Sequence, residues 1–189
     1  MSTEPGGGPA RWERRGSRLI ASTRVIDVCG VTFHHPVRGT EREFICMQAP
    51  DWVNVVAITR DRQVVLVRQF RYGSNDFSLE VPGGVMEPGE DPVATGVREL
   101  AEETGYGGGR ASLLGSLHPN PAIQSNRCHA VLVEDVEPLH ALDWDADEEL
   151  ELSVAPLDEV LRLVTQGGIT HSLTLCALLL YLQRRGAGI

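Results

Sequence analysis

Residues Gly84 to Tyr106, GVMEPGEDPVATGVRELAEETGY, decide how the rest of this chain is read. A glycine-containing turn leads into a helix, with Asp91 as N-cap and Pro92 at the first helical position, where a missing N–H costs nothing. Gly105 supplies the stop. At about 100° per residue, Val93, Val97 and Leu100 share one face, and Glu99, Glu102 and Glu103 fall on the opposite arc. These carboxylates crowd the negative end of the helix dipole, and Glu99 and Glu103 are like charges one turn apart. Each arrangement is unfavourable by a few tenths of a kcal/mol, and a structural helix would be better served by Lys or Arg there. A hard divalent cation held by oxygen ligands turns the same arrangement into a binding site. A solvated acidic face is the commoner meaning of a Glu-rich helix, so the flanking pattern has to decide.

That pattern is Gly84, Glu90, then Arg98-Glu99-Leu100-x-Glu102-Glu103-x-Gly105. It resembles the Nudix box of the Nudix hydrolase family at every charged and glycine position. Tyr106 departs from it, standing where the family favours an aliphatic residue. The resemblance implies an α/β class fold, an α/β/α sandwich around a mixed sheet, preceded by a small N-terminal antiparallel β-sheet. It also implies Glu99 and Glu103 as metal ligands, joined by Glu102 and by the backbone carbonyl of Gly83. Glu102 is expected to serve catalysis as well, and Arg98 and Glu90 to brace loop against helix. Three hard anionic ligands plus water suit Mg²⁺, or Mn²⁺, better than Zn²⁺.

Composition sets the frame. At 189 residues, with 42% hydrophobic and 23% charged residues, the chain can bury a real core. A net charge of −9 without any basic cluster excludes a non-specific nucleic-acid or anionic-membrane binder. Cys29, Cys46, Cys128 and Cys176 show neither CxxC spacing nor disulfide-rich density, which fits reduced thiols in the cytoplasm. No N-terminal segment resembles a signal peptide, and no apolar run approaches the roughly 20 residues of a membrane span.

Working outward, residues 1–10 are rich in Gly and Pro and read as a disordered tail. Residues 11–50 read as an N-terminal β segment, with strands over 18–29, 30–35 and 41–47. Residues 51–189 read as the Nudix domain that the resemblance implies. Strands are expected over 53–59 and 63–70, as a hairpin around Arg60-Asp61-Arg62, then over 77–81, 111–117, 128–133 and 150–154. A helix after Pro156 buries Val160, Leu161 and Val164, and a largely apolar helix covers 172–182. Glycines at Pro82-Gly83-Gly84 let the backbone approach a metal or a phosphate closely.

The flanks narrow the branch. Val67-Arg68-Gln69-Phe70-Arg71 and Leu79-Glu80-Val81-Pro82-Gly83-Gly84 resemble paired sequences of the ADP-ribose and nucleoside diphosphate sugar pyrophosphatases. There an arginine at the position of Arg71 contacts substrate and a glutamate at that of Glu80 lies beside the site. Gly84 completes the substrate loop, and Pro121 stands close to where the ADP-ribose branch places a marker proline. The segment His118 to Arg127 departs from the usual ADP-ribose loop and looks closer to nucleoside diphosphate sugar hydrolases with an Asn-Pro-Ala loop. Arg68, at odd strand spacing from Arg71, points to the other face. Related enzymes carry a general base on a loop before the last strand. Here that loop is 143–151, with Glu148 the first candidate and Glu149 the second, against a merely solvated acidic loop. Trp52 is evenly balanced between stacking on a base and packing.

The resulting expectation is Mg²⁺-dependent hydrolysis of the diphosphate bond in nucleoside diphosphate sugars, ADP-ribose included, giving a nucleoside monophosphate and a sugar phosphate. Two alternatives stand beside it: a nucleoside triphosphate or dinucleoside polyphosphate hydrolase using the same box, and a non-catalytic Nudix-fold sensor of a nucleotide metabolite. The branch also implies a homodimer with exchanged N-terminal strands. No nucleic-acid or membrane partner is expected.

Overall fold

The computed structural model describes residues 8–144 and 149–186. Most of the expected tail, residues 1–7, and the candidate base Glu148 lie outside them. By internal contacts the chain divides into two units, Met1–Ala49 with Asn120–Ser125, and Pro50–Pro119 with Asn126–Ile189.

The first unit is a three-stranded antiparallel sheet of β1 (Glu13–Ser22), β2 (Asp27–His35) and β3 (Thr40–Gln48), in that order. The continuous strand expected over 18–29 is instead broken at residues 23–26. The Thr23 hydroxyl accepts from the N–H groups of Val25 (3.2 Å) and Ile26 (3.0 Å) and donates to the Ile26 carbonyl (2.8 Å). Such a hydroxyl-built turn has no glycine or proline to announce it. Gly30, expected to open a strand, lies within β2. A Cβ there would come within 2.6 Å of the Glu43 carboxylate, which Arg18 grips with two hydrogen bonds of 2.8 and 2.6 Å. Residues 120–125 attach to β3, with the Met47 N–H donating to the Ile123 carbonyl (2.7 Å) and the Ser125 N–H to the Met47 carbonyl (3.1 Å).

The second unit holds β4 (Trp52–Thr59), β5 (Gln63–Arg71), β6 (Asp76–Glu80), α1 (Pro92–Thr104), β7 (Tyr106–Gly107), β8 (Arg110–Leu117), β9 (Cys128–Pro138), β10 (Glu151–Pro156), α2 (Leu157–Thr165) and α3 (Ser172–Arg184). Its seven-stranded sheet runs β10-β5-β4-β9-β7, with β6 beside β5 and β8 beside β9. The central pair β4 and β9 is parallel and the other pairings are antiparallel, so the sheet is mixed. β9 continues five residues past its expected end at Val133. Asp135, in the left-handed region (φ 64°), is an extra residue between the partners of Ile58 and Thr59, and this bulge lets pairing resume.

β4 is apolar almost throughout because both of its faces are covered. Val56 and Ile58 join Leu66, Leu132, Val160, Ala177, Leu178 and Tyr181 on the α2–α3 side. Val55 and Ala57 join Val131, Val133 and Leu100 on the α1 side. These two cores make the α/β/α sandwich. α2 packs with Leu157, Leu163 and Val164 around Val160, so Leu163 takes the place expected of Leu161. Among the described residues no helix is long and apolar enough to cross a membrane.

Candidate active site

The helix α1 is built as its ends require. Both the Val93 and Ala94 N–H groups donate to the Asp91 carboxylate at 3.0 Å, Pro92 occupies the first turn, and Gly105 closes the end at φ 70°. The face turned to the sheet is rotated from the one expected. Val97 is exposed (38%), whereas Thr95, Gly96, Leu100, Glu103 and Thr104 are buried. Gly96 explains the rotation: a Cβ there would sit 3.1 Å from Val131, so the helix lies against the sheet at this point. Glu103 therefore goes inward, at 4% exposure, and is not on a solvent arc opposite the core.

A buried carboxylate needs a donor, and the glycine loop provides it. The Gly83 N–H donates to Glu103 Oε2 at 2.9 Å. The loop is in turn bonded along the start of β4. Val55 N–H donates to the Pro82 carbonyl (2.7 Å), Val53 N–H to the Gly84 carbonyl (2.9 Å), and Met86 N–H to the Asp51 carbonyl (2.9 Å). Gly83 is required by close approach, since a Cβ would fall 2.1 Å from the Val53 carbonyl oxygen. At Gly84 a Cβ would meet the Glu99 carboxylate at 2.4 Å. The two glycines thus hold the loop against the strand on one side and the helix carboxylates on the other.

Arg98 organises the outer carboxylates. Its Nε donates to Glu90 Oε1 (3.1 Å), and a single terminal nitrogen reaches both Glu99 (3.0 Å) and Glu102 (2.8 Å). The Arg98 hydrogen bond, helped by the Glu87 N–H, holds the Glu90 carboxyl down at about 2, and the same partners raise the Arg98 guanidinium above its ordinary value.

These groups face a cavity of about 750 Å³, lined by Glu87, Glu99, Glu102, Glu103 and Asp143 together with Arg71, Arg98, Gln69, Gly83, Gly84 and Trp144. Five carboxylates stand against two guanidinium groups there. A polyphosphate would be repelled by such a surface, and a hard cation bound by oxygen would reverse that. The donor set fits a divalent cation. Among the described residues no three acidic, His or Cys side chains already converge on one point; Arg98 contacts Glu99 and Glu102, and the Gly83 N–H contacts Glu103.

Arg71 lines the cavity, and Glu80 lies behind it. The Arg71 Nε and a terminal nitrogen donate to the two Glu80 oxygens at 2.8 and 2.7 Å. The Glu80 side chain is 2% exposed and that of Arg71 44%. Burial disfavours charge on Glu80, but the Arg71 hydrogen bonds, the Arg71 charge and nearby His171 outweigh it, so its carboxyl lies below the usual range and stays ionised. Among the described residues neither Glu80 nor Pro121 lines the cavity; Pro121 lies within the 120–125 segment of the first unit. Arg68 pairs with Glu151 at 3.0 Å and stacks on Phe77 at 4.3 Å. Glu149 is exposed just ahead of β10.

Two cavity residues, Asp143 and Trp144, open the loop expected to carry the base, but no sequence feature assigns them a contact of their own. The Asp143 N–H donates to the Glu102 carbonyl (3.0 Å) and the Trp144 indole to the Glu103 carbonyl (2.9 Å). Both satisfy carbonyls that the end of α1 leaves unpaired. Their partners lie some forty positions away in sequence, beyond the reach of any local pattern.

Comparison with known proteins bears on this geometry. The NUDIX domain family model matches residues 50–174. The chain is 31% identical over 170 residues to the ADP-ribose pyrophosphatase of Bacillus subtilis (strain 168), covering 89% of this chain and 90% of that protein. It is 34% identical over 149 residues to the methanol dehydrogenase activator of Bacillus methanolicus, covering 78% and 79%. A crystal structure of an ADP compounds hydrolase superposes with a TM-score of 0.82 at 24% identity, covering 97% of this chain and 100% of that one, a likeness of fold. With the intact box on α1 and the family model spanning most of its length, the chain belongs to the Nudix hydrolase family.

Proposed function

We propose that this enzyme hydrolyses the diphosphate bond of nucleoside diphosphate sugars, ADP-ribose among them, with Mg²⁺ or Mn²⁺ as cofactor. The observation that carries the reading is the single cavity shared by the Glu99–Glu102–Glu103 carboxylates and by Arg71, held from behind by buried Glu80. Glu99, Glu102 and Glu103, with the Gly83 carbonyl, would hold the ion. When bound, such a cation neutralises phosphate charge and lowers the pKa of bound water.

The remaining roles fall to the chain. Arg71, with its guanidinium oriented by two hydrogen bonds, faces the diphosphate. Gly84 keeps the loop close enough for backbone contact, and Pro121 shapes the substrate loop. Glu148, or Glu149 after it, takes the proton of the attacking water as its oxygen bonds to one phosphorus. The P–O bond to the bridging oxygen breaks, releasing a nucleoside monophosphate and a sugar phosphate. Retention of all three box glutamates favours turnover over sensing.

Two properties of the whole chain belong to this reading. Four free cysteines accord with the cytoplasm. Exposed Leu19, Ile20, Phe44 and Ile45 on the N-terminal sheet support a homodimer in which exchanged strands cover that surface.

The test is release of product, with Mg²⁺, from ADP-ribose, UDP-glucose, GDP-mannose, NADH, diadenosine polyphosphates and nucleoside triphosphates. Cleavage of one or more of the diphosphate sugars is expected. Cleavage of triphosphates alone overturns the substrate class.

A further inference from the structure

We propose that His171 is a positioning residue for substrate binding, orienting Arg71 through the buried carboxylate of Glu80. The inference rests on the reading of Arg71 as a substrate contact. His171 is the N-cap residue of α3, far in sequence from the Nudix box. Its Nδ1 lies 3.4 Å from Glu80 Oε2, the same oxygen that accepts from Arg71 at 2.7 Å. On its other side Nδ1 is 3.1 Å from the hydroxyl of Thr174, which is fully buried and accepts from the Val81 N–H (3.3 Å). One ring nitrogen thus joins the start of α3 to the end of β6, at the point where β6 delivers Glu80.

A histidine at this place can be explained as a satisfied core residue bonded to Thr174, and the Glu80 contact argues for more. Burial pushes the ring below its ordinary value, Arg71 adds to that, and Glu80 opposes it; a neutral ring carries one ring proton. Glu80 is ionised and its oxygens are acceptors only, so the approach of Nδ1 is favourable with that proton on Nδ1. Arg71, donating to Oε2 at 2.7 Å, and the His171 ring, 3.4 Å from the same oxygen, then hold the carboxylate plane from two directions. A bidentate guanidinium follows that plane, so tilting Glu80 re-aims Arg71 at the cavity. The groups facing the His171 ring are Glu80 from β6, Arg71 from β5 and Thr174 from α3 itself.

The experiment measures ADP-ribose affinity in EDTA by calorimetry, and kcat and KM with Mg²⁺, for His171→Phe, His171→Asn, Arg71→Ala and the Phe/Ala double variant. His171→Phe keeps a ring and removes the donor. It should raise Kd and KM by about three- to tenfold, the equivalent of one net hydrogen bond, with kcat within about twofold. Asn places an amide N–H near the position of Nδ1 and remains a good N-cap, so His171→Asn should restore wild-type binding. In the Arg71→Ala background His171→Phe should add nothing. Should His171→Phe fail to fold, His171→Asp against His171→Asn carries the test, because both cap the helix and Asp alone repels Glu80. Equal affinities for those two, or an undiminished Phe effect without Arg71, overturns the inference. If Arg71→Ala itself leaves Kd unchanged, the substrate role of Arg71 fails instead.

Discussion

Glu103 differs from Glu99 and Glu102 on α1 by being buried and bonded to the Gly83 N–H. Glu103→Gln preserves size and an acceptor for that N–H while removing the charge. Turnover should therefore fall on the order of 10³-fold, the loss of several kcal/mol of charge stabilisation, with a thermal midpoint close to wild type. A variant that stays active removes Glu103 from the metal site. Glu90 gives a different signature. Its folded carboxyl is held at about 2 against an ordinary 4.5. A depressed pKa contributes stability above the unfolded value and loses it as pH falls through the folded one. The gap in thermal midpoint between wild type and Glu90→Gln should be constant above about pH 5 and shrink steadily below about 4.5. A gap unchanged at pH 3 would mean that the Arg98 pair does not brace the loop.

The loop–helix unit was the most legible part of the sequence, because Asp91, Pro92, Gly105 and the box glutamates act over a few residues. What escaped was long-range. No periodicity places Gly96 against Val131, and without that contact the rotation that buries Glu103 and exposes Val97 is invisible. Trp144, Asp143 and His171 reach the site through partners distant in sequence, and the Thr23 turn uses a hydroxyl where a glycine would have been noticed. The two loop glycines separate folding from function. Gly83→Ala sets a Cβ against the fixed Val53 carbonyl at 2.1 Å and should cost about 2–3 kcal/mol of stability. Gly84→Ala meets the movable end of Glu99, so it should melt normally yet lose most activity. Equal melting losses for the two would contradict this geometry. Asp51 holds the same loop only through its backbone carbonyl, which accepts from the Met86 N–H, while its side chain braces the start of β4 against the start of β9. Its carboxylate accepts from the Arg127 N–H (2.7 Å) and lies 3.3 Å from His129 Nε2. Asp51→Ala should cost about 1–2 kcal/mol in urea unfolding, and an unchanged midpoint would remove it as a brace.

At the scale of the molecule, the sandwich uses its sheet to hold β4 and α1 in one register, and the site lies where the loop between β6 and α1 meets both. The mixed sheet and helices follow from runs such as Val53–Thr59 and are readable in outline, whereas the bulge at Asp135 that extends β9 depends on pairing with β4. If the exposed apolar residues of the N-terminal sheet are covered by a second copy, sedimentation at micromolar concentration should give a dimer, and a monomer would remove the exchange of strands. Product analysis of ADP-ribose hydrolysis is the sharpest test of a metal platform acting on a diphosphate sugar. With Mg²⁺, AMP and ribose 5-phosphate should appear in equal amounts, and neither should appear when EDTA replaces the metal. Products unchanged by EDTA, or an intact ADP-ribose pool alongside rapid triphosphate cleavage, would contradict it.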